Sequence, residues 1–149
     1  MEWKETIVIK ANINRVWLIL NDETYLKEIK PQIVQSILIP EKSQGNVKVY
    51  QETYQEGKRQ ETYELTLITN EDSEDLKKQS FNFIVANTIE CTGNFSLKKV
   101  DEITTMFCYS GLNKGINLIG KTMLKISSKS SVENIIADFL NKVKEVSER

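Results

Sequence analysis

The stretch Ser131–Arg149, SVENIIADFLNKVKEVSER, decides how this chain folds. Val132, Ile136, Phe139, Val143 and Val146 recur at helical spacing, with Ile135 and Leu140 beside them, so one face of a helix is apolar. Asn134, Asp138, Asn141, Lys142, Lys144, Glu145 and Glu148 fill the other positions and leave the opposite face wet. An apolar stripe in this place needs a partner surface made by earlier residues. The sequence before it supplies strands, and the gap between strands and helix is where function is to be sought.

Directly upstream, Ile116, Ile119, Met123 and Ile126 form another helical stripe, but its phase does not run on into Val132 and Ile136. Ser130 followed by Glu133 has the spacing of a capping box. The spacing predicts two helices, or one bent helix whose firm half starts near Ser131.

Further back the texture is β. NVKVYQETYQ and RQETYELTLI flank Glu56-Gly57-Lys58, the clearest hairpin signal in the chain. The turn occupies Glu56-Gly57 or Gly57-Lys58. Either choice puts Tyr50, Glu52 and Tyr54 on one face with Tyr63, Leu65 and Leu67, and leaves Val47, Val49, Gln51, Thr53 and Gln55 on a wetter face. Asn70–Lys78 reads as a charged loop. Phe81, Phe83 and Val85 then alternate inward, followed by Ile89, Cys91, Phe95 and Leu97, with Gly93 marking a bend or bulge. The last strand turns inward either Thr105, Phe107 and Tyr109 or Thr104, Met106, Cys108 and Ser110; the aromatic set is preferred.

At the other end, WKETIVIK reads as a strand. Asn12 is an N-cap for a short helix presenting Ile13, Val16, Trp17 and Leu20, and a second short helix runs roughly from Glu23 to Ile29, stopping near Lys30 because Pro31 disfavours helical geometry before it.

The totals set limits. A length of 149 residues suggests a single domain, 1–149, able to bury a real core. Lys+Arg 20 against Asp+Glu 21 gives a net charge of -1, which supplies no basic field for nucleic acid or an anionic membrane. No apolar run approaches the roughly 20 residues of a membrane span, and the start MEWKETIVIK lacks the features of a signal peptide, so a cytoplasmic protein is expected. Cys91 and Cys108 make neither a disulfide framework nor a metal spacing. Histidine is absent, which removes every Ser-His or Cys-His nucleophilic arrangement and the commonest general base. No cofactor or metal is expected.

TIVIKANINRVWLILND, then Tyr25, Pro31 and Val34, YQEGKR, FSLKKVDEITTMFCY, and a G-x-x-x-x-G leading into a helix with DFLNKV resemble the START-like (SRPBCC, Bet v 1-like) superfamily. The nearest flavour is the bacterial members similar to polyketide cyclase/dehydrase and to the G-type subunit of carbon monoxide dehydrogenase. The resemblance covers nearly the whole chain through diffuse positions. It implies an α+β helix-grip fold: a curved antiparallel sheet of about seven strands wrapped around a long C-terminal helix, with two short helices after the first strand. It also implies an apolar cavity between sheet and helix, as in members that bind lipids, sterols or polyketides.

The cavity candidates on this reading are Tyr50, Glu52, Tyr54, Tyr63, Leu65, Phe81, Phe83, Phe95, Phe107 and Tyr109 from the sheet, Met123 from the segment after Gly115, and Ile136, Phe139 and Leu140 from the last helix. A carboxylate among phenols demands a partner if it is buried, and such a set suits an apolar wall with a few orienting hydroxyls. Against this stands GINLIGKT, Gly115 to Thr122, which satisfies G-x-x-x-x-G-K-[ST]. Too few residues follow it for a parallel nucleotide-binding unit, and its aliphatic residues read as helix packing.

Three functions remain open: binding of a hydrophobic or amphipathic small molecule without chemistry, a cyclase or dehydratase using Tyr and Glu of the same wall, and a partner-binding module with little cavity. The first is favoured. A cavity closed by large side chains points to the third, an open one with Glu52 facing a Tyr hydroxyl to the second, and an open one with sparse polar groups to the first.

Overall fold

Alternation and helical spacing follow one another along the chain in the order the sequence suggests. The computed structural model describes residues 1–127 and 129–149. Strand β1 (Glu2–Ile9) leads into helices α1 (Ile13–Asn21) and α2 (Glu23–Ile29). Strands β2 (Ile33–Leu38), β3 (Val47–Glu56), β4 (Arg59–Asp72), β5 (Leu76–Val85), β6 (Ile89–Asp101) and β7 (Thr104–Gly115) follow, then α3 (Leu118–Ile126) and α4 (Lys129–Ser147). The strands form one curved antiparallel sheet in the order β1-β7-β6-β5-β4-β3-β2. Every neighbour except β1 is joined by the next connection in sequence.

Local chemistry explains the joints. The Asn12 side chain accepts from the Asn14 N–H and starts α1, while Asp22 ends α1 and accepts from Thr24 N–H to start α2. In the β3–β4 hairpin Glu56 pairs with Arg59, so the turn is Gly57-Lys58, with Gly57 at φ 60. That choice sets Tyr50 opposite Leu65 and Glu52 opposite Tyr63, both on the inner face. In β7 the aromatic set turns inward: Thr105 and Phe107 are fully buried, whereas Met106 is exposed.

Four expectations are corrected. Asn70–Lys78 is not a loop, because β4 continues to Asp72 and β5 begins at Leu76, with Asp72 paired to Lys77 and Glu71 to Lys78. Opposite charges facing across the hairpin stabilise what composition alone reads as solvated coil. Val49 and Thr53 are buried although they lie on the outer face, since Ser43 folds back to accept the Val49 N–H at 2.9 Å and the Thr53 and Thr62 hydroxyls meet at 3.1 Å. Gly93 carries no bulge; it pairs in register with Phe81 and Gly111, and a Cβ there would overlap the Phe81 ring. Finally, the stripe Ile116, Ile119 and Ile126 is exposed rather than packed. Instead Gly120 is the buried residue of α3, pressed against the Thr88 carbonyl.

The two-helix alternative holds, with α3 ending at Ile126 and α4 beginning at Lys129. Ser130 therefore lies inside α4 rather than at a cap position before Ser131. Ile136, Phe139, Leu140, Val143 and Val146 of α4 are buried as expected, while Ile135 is exposed. The Phe139 ring sits 5.8 Å from Phe95, 6.5 Å from Phe107 and 5.3 Å from Tyr109, between the helix and the middle of the sheet. Removing it leaves a hole lined by three other rings. Phe139→Ala should lower stability by about 3–5 kcal/mol in urea unfolding, and a change near zero would take α4 out of the core.

Candidate functional site

Inner-face residues that are too large and too polar to pack solidly leave space beneath the helices. Two adjoining cavities, of about 160 Å³ and about 230 Å³, lie between the sheet and the helical layer. Lys30, Glu52, Leu65 and Phe81 border both and form the partition. The smaller lobe runs from Tyr50, Leu67 and Phe95 of the sheet to Leu20 and Leu26 of α1 and α2. The larger runs from Tyr54, Tyr63, Phe83, Cys91 and Tyr109 to Ile136 and Phe139 of α4, with Ile135, Asp138 and Lys142 along its rim.

Of the residues expected at the site, Tyr50, Glu52, Tyr54, Tyr63, Leu65, Phe81, Phe83, Phe95, Tyr109, Ile136 and Phe139 border one lobe or both. Phe107 and Leu140 do not; both are buried in the core behind the cavity wall. Met123 does not either, because α3 packs on the end of β7 and stays outside the grip. Lys30 joins the site unannounced, since the sequence marks it only as the end of α2. Its ammonium stands 5.5 Å over the Phe139 ring, and among the described residues it has no carboxylate within ion-pair distance.

Glu52 is 5% exposed, and the Tyr63 hydroxyl donates to its Oε1 at 3.1 Å. A buried carboxylate without a donor would cost several kcal/mol, on the order of an unpaired buried charge, so this bond makes the position tenable. Tyr63 stacks on Phe83 with centroids 4.5 Å apart, which fixes the phenol's direction. At the far end of the smaller lobe, Gln79 donates to Asn21 Oδ1 at 2.7 Å, tying β5 to α1. Lys77, also buried, is held by Asp72 and lies 5.7 Å over the Trp17 ring.

No protein-family profile matches the chain, and no curated protein does. Solved structures do. Zhui aromatase/cyclase from Streptomyces sp. R1128 superposes with a TM-score of 0.72 at 14% identity, over 100% of this chain and 94% of that one. The chain has the helix-grip fold. A conserved protein from Geobacillus kaustophilus shares it at 18% identity and a TM-score of 0.67, over 98% and 94% of the two chains. The di-domain ARO/CYC StfQ from the steffimycin biosynthetic pathway gives 0.74 at 7% identity, with 99% of this chain covering 45% of that one. At such identities the likeness is one of fold. Among the described residues there is no group of three His, Cys, Asp or Glu able to hold a metal, and no helix long and apolar enough to cross a membrane.

The phenols of this helix-grip cavity hold their protons tightly. Burial pushes Tyr63 far above the ordinary phenol value, with Glu52 adding to it, and burial does the same to Tyr109. Tyr54 is pushed up to about 12 by burial and by its bond to Glu56, and the Cys91 thiol to about 12 by burial. The folded state thus binds these protons more strongly than the unfolded chain. Their contribution is complete below the ordinary values, about 9 for the thiol and about 10 for the phenols, and is lost as pH rises through about 12 and beyond. Alkaline titration followed by tyrosinate absorbance and circular dichroism should show stability falling from about pH 9 upward, with late phenols ionising only as the fold is lost. Ionisation of every phenol near 10 in a native protein would contradict the buried arrangement.

Proposed function

We propose that this chain, acting as one domain over residues 1–149, binds a hydrophobic or amphipathic small molecule, lipid-like or polyketide-like, in the cavity between sheet and α4. The observation that carries this reading is the two-lobed space, its larger lobe walled mostly by aromatic and aliphatic side chains and its smaller lobe by apolar and polar ones alike, with Lys30 and the Glu52–Tyr63 pair as polar groups at the partition. Apolar walls supply affinity without direction, and a few fixed polar groups supply orientation. Lys30 offers a cation to an acidic or carbonyl end of a ligand whose body lies along Leu65 and Phe81. Volumes of about 160 Å³ and about 230 Å³ weigh against a module with its cavity filled by side chains. A cytoplasmic location belongs to the same reading.

A second reading has a specific observation in its favour. Glu52 faces the Tyr63 hydroxyl inside the cavity, the arrangement that separates a cyclase or dehydratase from a simple binder, and Zhui and StfQ are described as aromatase/cyclases. On this reading the Glu52 carboxylate takes a proton from a carbon between two carbonyls. The resulting enolate attacks a second carbonyl of the same chain, and the new alkoxide takes the Tyr63 proton. Proton return from Glu52 to Tyr63 restores both groups, and a later loss of water would give the unsaturated ring.

Native mass spectrometry of protein purified from its own cells tests the first reading. The expected result is a retained mass released by organic solvent. No bound mass, together with no thermal shift across a panel of fatty acids, sterols and aromatic polyketides, would sink it. Glu52→Gln separates the two readings: a binder keeps its ligand, while a cyclase also loses the conversion of a linear poly-β-carbonyl thioester to a product lighter by one water.

A further inference from the structure

The chain's charges cancel overall, yet they are not evenly spread. Between Ile103 and Val132 there are four lysines, Lys114, Lys121, Lys125 and Lys129, and no acid. Lys114 lies across from Glu90 on the neighbouring strand, and Lys129 is 3.9 Å from Glu133. Lys121 and Lys125 have no such neighbour: among the described residues neither is within ion-pair distance of a carboxylate. Both belong to α3.

That helix meets the body of the protein through Gly120, whose α-carbon side faces the Thr88 carbonyl and the end of β7. Its other side faces solvent, and there Leu118, Ile119 and Ile126 are 80%, 64% and 79% exposed. At about 100° per residue these three share one arc, and Lys121 and Lys125, four residues apart, run along its flank. A helix that packs on a soluble domain turns its apolar stripe inward. This one keeps Met123 and Leu124 half-buried but turns Leu118, Ile119 and Ile126 outward, with cations beside them.

We propose that α3 is a docking element for an anionic lipid surface. Leu118, Ile119 and Ile126 enter the interface below the headgroups, and Lys121 and Lys125 lie against the lipid phosphates. Charge selects this occupant. A second copy seated on the same face would offer only the same lysines and no carboxylate of α3 to receive them, whereas lipid phosphates supply the missing anions. The whole-chain balance of -1 conceals the site because the compensating acids lie elsewhere in the sequence. The proposal stands apart from the cavity reading and survives its failure.

Co-sedimentation with vesicles of phosphatidylcholine mixed with phosphatidylglycerol, against vesicles of phosphatidylcholine alone, tests it. The wild-type chain should bind the mixed vesicles and release as salt rises. Lys121→Gln with Lys125→Gln should weaken binding about 25-fold, about fivefold per lysine. Leu118→Ser with Ile119→Ser and Ile126→Ser should abolish it while circular dichroism stays unchanged, since all three side chains are exposed. Absence of wild-type binding at low salt, or binding equal in wild type and both variants, overturns the proposal. So does a dimer in sedimentation velocity that the triple serine variant dissociates, which would assign the face to a second copy.

Discussion

The seating of α4 by its C-terminal half is the constraint on which the rest of the molecule depends. Val143 and Val146 are buried beneath it, and the Arg15 guanidinium donates to the carbonyls of Val146 and Ser147 at 3.1 and 2.9 Å. Those carbonyls have no partner within the helix, and the helix dipole is negative there, so a cation from α1 answers both demands. Lys144 donates to the Val8 carbonyl, and Glu148 accepts the Lys10 N–H, each at 3.0 Å. The Lys144 ammonium and that N–H hold the Glu148 carboxyl below the ordinary carboxylate range. The first strand, α1 and the last turn of α4 are thereby locked together. Toward Lys129 the helix is mostly exposed, and the larger lobe lies where the grip loosens.

Buried ionisable groups divide into two kinds in this fold. Lys77 is enclosed: Asp72 neutralises it, Trp17 covers it, and it borders neither lobe. Its role ends in holding the β4–β5 hairpin against α1. Glu52 is equally buried but borders both lobes and has a phenol as its donor. A phenol is a neutral donor, whereas an ammonium brings a compensating charge of its own. The two positions differ in the donor each meets and in access to the cavity, not in burial.

The inner wall was legible because a two-residue hairpin fixes parity: once Gly57 is placed, Tyr50, Glu52, Tyr63 and Leu65 must share a face. Parity was ambiguous for β7, where a register shift between Lys99 and Asp101 precedes the turn and leaves no mark in the sequence. Lys77 and Gln79 were obscured by the charge density of NEDSEDLKK. The signal that could have recovered them is the facing of Glu71 and Asp72 by Lys78 and Lys77 across a short turn. Lys30 had no readable signal, since its place over Phe139 follows from how α2 stops before Pro31 and how α4 crosses it.

The glycines argue the same point from the side of space rather than charge. GINLIGKT has the spacing of a phosphate loop, but Asn117 already takes the Gly120 N–H at 2.9 Å, and the Thr122 hydroxyl donates back to the Leu118 carbonyl at 2.8 Å. Gly115 and Gly120 are needed because the backbones of β7, α3 and the Thr88 turn touch, and a Cβ at either position would overlap main chain. A helix fastened backbone to backbone does not need its aliphatic side chains for packing. That frees Leu118, Ile119 and Ile126 to face outward, so the pattern that looks like a nucleotide motif is the condition for an exposed apolar helix face.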